Sequence, residues 1–472
     1  MTVHYAAKLG TFSGTMLVVG GIIGSGIFLS PAVVAQRVGT APLTLGAWGL
    51  GAVVAILGGF IYGELGARRP KAGGTYIYLR DAFGSLPAFL YGWALFLIMA
   101  TGAIAAVAMT GANYLAELLG MSAAAGRPIA IGLIVVLTLL NVLGVRIGAT
   151  TGNVLTVLKL GAIVVLVVAA LAFTPRHPSP VDTAAAALPA APAGLWNTVV
   201  AMGAALVPVL FSFGGWQQTN AVAEELIEPD RTLPRALIFG VLIVAATYLL
   251  VNVAYLRALG TAGLAASRAP AADTMFVYLG GAGRTLITAG IVTSTVGFLG
   301  MVILMSARVY QAMAADGLFF QSMATLHPRT QTPVTALVAQ GVVALALLLT
   351  GTYGQLLDYV VFADWIFFGA TAASLWTLRK IDKPTPAASG ASASAVTSAS
   401  QRQAEAREAS LQRTPWHPWS TLVFVAAAVY VLIGSIVSNP GNAARGAALL
   451  ALGLPVYAYW NRQRQQGTER RV

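Results

Sequence analysis

Residues 17–34 read LVVGGIIGSGIFLSPAVV, and residues 199–226 read VVAMGAALVPVLFSFGGWQQTNAVAEEL. Both are apolar runs, and each is interrupted by a small, glycine-rich break. Gly24-Ser25-Gly26 interrupts the first and Ser212-Phe213-Gly214-Gly215 the second. An unpaired backbone amide costs several kcal/mol in hydrocarbon, so irregular backbone persists there only where protein buries it or where it lines a cavity. Glycine-interrupted helices at corresponding places in two halves of a chain are the best sequence pointer to a transporter's binding site. The pair points to a polytopic, all-α membrane protein that handles a small solute.

Composition agrees. The 472 residues are 57% hydrophobic and 9% charged, whereas soluble domains carry roughly 25% charged residues. Repeated apolar runs of about 20 residues fit helices rather than outer-membrane strands. No secretory cleavage pattern precedes the first run, so the N-terminus is read as part of the mature chain. With no cysteine in the chain, thiol chemistry, cysteine-ligated metal and a disulfide-linked partner subunit are excluded. His4, His177, His327 and His417 all lie outside the apolar runs, which argues against a buried metal or haem. No cofactor is expected.

Apolar periodicity places helices near 12–37, 43–66, 84–118, 128–146, 150–173, 196–228, 235–258, 284–314, 333–350, 354–378, 418–437 and 444–461. That gives twelve membrane spans. An odd number of spans per repeat inverts the second half, so five plus five would form inverted repeats with discontinuous helices 1 and 6. The organisation is then a first repeat over 1–173, an external loop over 174–195 and a second repeat over 196–380. A low-complexity cytoplasmic linker over 381–417, two further helices over 418–461 and a basic tail over 462–472 follow. The net charge of +12 is topological rather than a nucleic-acid footprint. With both termini inside the cell, the opposite face holds only Arg37, Arg127, Arg176, Arg257, Arg268, Arg284 and Arg445. That asymmetry is the positive-inside pattern of a multi-pass protein of the cell (plasma or inner) membrane, its basic face against anionic lipid.

At the first break, an unwound helix frees amide N–H groups, and the following half-helix points its positive end at the gap. Ser25 adds a hydroxyl donor, and this arrangement suits a carboxylate. The carbonyls ending the preceding half-helix suit an ammonium, so the two together recognise a zwitterion. Close helix packing through Gly20 and Gly24 is the competing reading. At the second break, Phe211 stands either as a lid over a ligand or as ordinary packing, with Ser212 and Gly214 shaping a side-chain pocket. Lys159 is the only lysine inside a helix, where a charge costs about 2.5–3.5 kcal/mol at the bilayer centre. It either bonds helix-break carbonyls in place of a coupling cation or snorkels to the interface.

The segment from Phe211 to Ala236, FSFGGWQQTNAVAEELIEPDRTLPRA, resembles the sixth-helix signature of the L-type amino acid transporters. They are a branch of the amino acid–polyamine–organocation superfamily. Gly-Ser-Gly-Ile-Phe at 24–28 resembles their first-helix motif, and Arg69-Pro70-Lys71-Ala72-Gly73-Gly74-Thr75-Tyr76 their loop between helices 2 and 3. Residues 247–255, Ser306-Ala307-Arg308 with Asp316-Gly317, His327-Pro328 and Thr332-Pro333 resemble the family's helices 7 to 9. The resemblance covers about residues 10–380.

The resemblance implies that Ser25 and Gly26 meet a substrate carboxylate. The carbonyls of Ile22, Ile23, Phe211 and Ser212 would meet its amine. Phe211, Gly214 and Trp216 would form the gate and side-chain pocket. Lys159 would replace a sodium ion between helices 1 and 8, with Ser294 its helix-8 contact, and Tyr248 and Asn252 would flank the cytoplasmic side. It also implies sodium-independent exchange of neutral L-amino acids by alternating access. Proton-coupled symport or uniport of the same fold is the near alternative, and a non-transporting sensor the distant one. No enzymatic constellation appears.

Two features depart from the family. The low-complexity linker replaces its usual stretch between helices 10 and 11. Asp364 stands where asparagine is more common, as a candidate coupling acid or as a helix–helix hydrogen-bond partner. The animal members attach a glycoprotein through a cysteine; this chain is expected to work without one. Glu224 and Glu225 read either as a cytoplasmic ion-pair gate with Arg231 and Arg308 or as a solvated cluster, too far inward to meet a substrate side chain. No other acid lies near the breaks along the sequence, which favours a neutral substrate.

Overall fold

A computed structural model describes residues 5, 7–181, 192–350, 353–382 and 411–469. The 381–417 linker lies mostly outside these residues, and the 174–195 loop and the 462–472 tail partly so. Among the described residues every named element is helical. The bent pair α1 (Thr11–Ile22) and α2 (Gly26–Val38) turns through 43° at the first break. Then follow α3 (Ala41–Arg68), α4 (Thr75–Phe83), α5 (Ser85–Leu118), α6 (Gly126–Val142), α7 (Val145–Ala172) and α8 (Leu195–Phe213). After the second break come α9 (Pro229–Ala266), α10 (Pro270–Ala315), α11 (Val334–Thr350), α12 (Tyr353–Ile381), α13 (Trp419–Ser438), α14 (Pro440–Ala451) and α15 (Gly453–Glu469).

Eight described helices are long and apolar enough to cross a membrane, nine counting the bent pair, and α6 and α11 are shorter apolar helices. The helix expected over 444–461 is instead two pieces, α14 and α15. Pro455 lacks the N–H that a continuous helix needs at this turn, and Asn461-Arg462-Gln463-Arg464 makes the second piece polar. Two other expected helices are longer than their apolar cores. α9 continues past Gly260 (φ 67°), and α10 begins before Gly280 (φ 61°). At both joints only a residue without Cβ adopts the required backbone comfortably.

The faces of these helices are inverted relative to a soluble protein. On α7, Thr156 and Lys159 are buried while Leu158, Val164 and Val168 are about half exposed. Polar groups inside and aliphatic groups outside are what a lipid solvent selects. α9 packs along α3, α10 along α7, and α2 along α8. These contacts hold the two breaks side by side in the interior. Thr40 caps α3 by accepting from the Leu43 amide at 3.4 Å.

One end of the bundle is tied by an ion network. Glu64 accepts from Arg68 at 2.9 Å, from Arg379 at 2.5 Å and from the Thr414 amide at 2.7 Å. Asp382 accepts from Arg69 at 2.7 Å and from Arg68 at 3.0 Å. Desolvation pushes the Asp382 carboxyl up, but these arginine hydrogen bonds hold it below its ordinary value.

Candidate functional site

The first break begins where α1 stops at Ile22. The Gly24 amide turns back to the Ile22 carbonyl at 2.9 Å, and α2 resumes at Gly26. Among the described residues no backbone carbonyl accepts from the amides of Ser25, Gly26 or Ile27. The Ser25 hydroxyl is buried without a hydrogen-bond partner. The second break begins at Phe213, passes through Gly214 and Gly215, and continues as a 3-10 helix over Trp216–Glu225. The sequence suggested a second α-helical half there. The Gln217 side chain instead takes the Gly215 amide at 2.9 Å, and Asn220 donates to the Gln217 carbonyl at 3.1 Å. Side chains that bond nearby backbone in this way compete with the α-helical ladder.

The breaks touch backbone to backbone. A Cβ on Gly26 would lie 2.8 Å from the Ser212 Cα, and one on Gly215 only 2.0 Å from the Gly21 carbonyl oxygen. The Tyr248 hydroxyl spans them, shared between the Ser212 carbonyl at 3.0 Å and the Ile22 carbonyl at 3.3 Å. Tyr248→Phe keeps the ring against Trp48 and Phe213 and removes this tie. Its expected cost is about 1–2 kcal/mol, read as a lower denaturation midpoint in detergent; an unchanged midpoint would discount the tie. Asn252 donates to the Tyr248 carbonyl at 2.8 Å and is not on the cavity wall described below.

Lys159 is fully buried and does not snorkel. Its Nζ donates to the carbonyls of Gly20 at 2.9 Å and Ile23 at 2.5 Å. The Ser294 hydroxyl reaches the same Ile23 carbonyl at 3.0 Å and that of Gly24 at 3.2 Å. Helices α7 and α10 therefore both hold the end of α1.

A cavity of about 40 Å³ lies between the breaks, its wall including Ser25, Gly26, Phe211, Ser212, Gly214 and Asp364. Further wall residues are Tyr91, Leu95 and Met99 on α5, Phe298 on α10, and Trp365 and Phe368 on α12. None of these has a local sequence signal. Leu95–Met99 is, however, a π-helical turn, a feature frequent at functional sites.

Several expectations are corrected. The Ile23 carbonyl is taken by Lys159 and Ser294 and is not on the cavity wall. That of Ile22 already accepts from Gly24 and Tyr248, while those of Phe211 and Ser212 each have one such donor. Trp216 is not in the pocket: it packs edge-on against Tyr62, centroids 4.7 Å apart, beside Gly58. Asp364, remote along the chain, is on the wall, so an acid does stand beside the breaks. Arg231 pairs with Glu228 at 3.8 Å rather than with Glu224 or Glu225. Glu225 is buried against Arg308, 2.8 Å away, and Tyr5 covers the guanidinium at 5.5 Å. Its backbone carbonyl also accepts the Lys8 and Leu9 amides, so the N-terminal segment is strapped across this pair. Among the described residues there is no cluster of three metal-ligating side chains.

Apolar helices, two of them broken around a small, mainly apolar cavity with a few polar groups on its wall, describe a multi-pass membrane permease. Residues 9–451 match the family described as amino acid permease, and the chain belongs to that family. Within the amino acid–polyamine–organocation superfamily it is a member similar to the L-type transporters. It is 28% identical to the serine/threonine exchanger SteT of Bacillus subtilis over 95% of this chain and 96% of that protein. It is 32% identical to the mouse Asc-type amino acid transporter 1 over 79% of this chain and 70% of that protein. Identity to the mouse large neutral amino acids transporter small subunit 2 is 29%, over 96% and 81%.

Proposed function

We propose that this permease exchanges neutral L-amino acids across the membrane, without sodium and by alternating access. Twelve spans, inverted repeats and cytoplasmic termini belong to the same reading. The observation that carries it is the division of labour at the first break. Lys159 and Ser294 occupy the carbonyls on one side, while the Ser25 hydroxyl and the amides of Gly26 and Ile27, which meet no backbone carbonyl among the described residues, remain for a carboxylate beside the cavity. The ammonium of Lys159 stands where a coupling cation would otherwise satisfy those carbonyls, which supports sodium independence. The substrate amine would meet the carbonyls of Phe211 and Ser212, each of which has an open lone pair. A cavity of about 40 Å³ holds only about three waters. The substrate therefore enters when Phe211 moves, as a gate does. SteT is named as an exchanger, which supports exchange over uniport.

Proteoliposomes loaded with labelled alanine should release it only when unlabelled amino acid is supplied outside. Replacing sodium with choline should leave the rate unchanged. Equal efflux into empty buffer would sink the exchange mechanism. Proton-coupled symport is a second reading, favoured by Asp364 on the cavity wall. Uptake driven by an imposed pH gradient and lost in Asp364→Asn would establish it over exchange.

A further inference from the structure

Among the described residues Asp364 is the one acidic side chain on the cavity wall, and no hydrogen bond or ion pair holds it there. The Gln218 side-chain oxygen is a second acceptor on this wall, buried and without a partner. Its neighbour Gln217 is committed to the Gly215 amide at 2.9 Å. The buried cation Lys159 is turned to the carbonyls of Gly20 and Ile23 instead. A carboxylate and an amide oxygen facing a small, mainly apolar space are costly unless something donates to them. With the backbone of both breaks serving the zwitterionic end of a substrate, as proposed above, the missing donors would belong to its side chain.

The geometry points to Asp364, assisted by Gln218, as the specificity-determining residue of the cavity: it selects amino acids whose side chain donates a hydrogen bond, hydroxyl side chains above aliphatic ones of equal shape. This inference rests on the reading of the breaks as the zwitterion site. A hydrophobic pocket rejects an added hydroxyl only modestly, whereas a site built to bond one rejects the analogue that lacks it strongly.

Threonine and valine are near-isosteric and differ by that donor, so they form the test. In the wild-type protein, threonine should compete with labelled alanine about 10- to 100-fold better than valine, the range expected of one hydrogen bond to a charged group. A ratio below tenfold overturns the proposal. In Asp364→Leu the ratio should collapse to near unity, and a wild-type ratio there also overturns it. Should the leucine variant not fold, Asp364→Asn replaces a charge-assisted bond by a neutral one and should lower the ratio by about threefold or more; an unchanged ratio refutes the assignment. The two readings fail differently. If valine and threonine displace alanine equally well, only the selector role is lost. If no amino acid displaces alanine, the zwitterion site itself is wrong.

Discussion

Lys159→Met is expected to lower exchange by about 100-fold while leaving most of the protein folded. Nζ makes two charge-assisted bonds, to Gly20 and Ile23, each contributing about 1.5–3 kcal/mol. Ile23 retains Ser294 at 3.0 Å, but the Gly20 carbonyl is left without that donor. The end of α1 then loses its tie to α7, and with it the fixed direction of the amides that follow. Folding responds less than transport because the lost bonds are offset by relief of a buried charge's desolvation, and methionine fills nearly the same volume. Counterflow initial rates at equal protein, beside the elution profile from size exclusion, separate the two effects. A variant keeping more than a third of wild-type exchange would show that this ammonium does not hold the transport site together.

What made Lys159 legible in the sequence was its isolation: a lone cation inside an apolar helix demands acceptors, and the broken helices are where unbonded carbonyls are concentrated. The breaks themselves were legible for the same reason. Gly24-Ser25-Gly26 and Gly214-Gly215 are cheap places to unwind an otherwise continuous apolar run, and the helices stop at Ile22 and Phe213. Which carbonyl faces which partner was not legible. That depends on the residue at which unwinding begins and on the path of the chain through the gap, so Ile23 turned to Lys159 instead of the cavity. The cavity walls were hidden for a different reason. Tyr91, Phe298 and Asp364 arrive from helices far apart in sequence, and periodicity marks a buried face without naming the face opposite. The place of Trp216, which the family resemblance had grouped with the gate and side-chain pocket, was not legible either. The 3-10 path after Gly215 carries its ring to Tyr62 and Phe368 instead. Glu225 was ambiguous from sequence because burial decides between a gate and a solvated cluster. Its burial with Arg308 beneath the N-terminal segment comes from chain crossings that no local pattern announces.

Gly215→Ala should be the most damaging single methyl among the described glycines. Gly215 has φ 111°, a conformation that costs a residue with Cβ about 1–3 kcal/mol. The added carbon would also stand 2.0 Å from the Gly21 carbonyl oxygen and 2.7 Å from its carbon. Both are backbone atoms of α1, so no rotamer change relieves the overlap. Relief requires the two breaks to part, which would cost the Tyr248 bridge and the closure of the cavity together. The expected result is little or no monodisperse protein and no measurable exchange. Two other methyls calibrate it. Gly214 has an ordinary extended backbone, φ −63° and ψ 158°, and its Cβ would sit 3.2 Å from the Phe211 carbonyl oxygen. Gly214→Ala should therefore fold, with its effect confined to the cavity it borders. Gly46 lies in α3 with nothing within 4 Å of a Cβ, so Gly46→Ala should stabilise the helix by about 0.5–1 kcal/mol. Three melting curves in the same detergent decide the matter. If Gly215→Ala melts with Gly46→Ala rather than far below it, the breaks are not in backbone contact and the site is built differently.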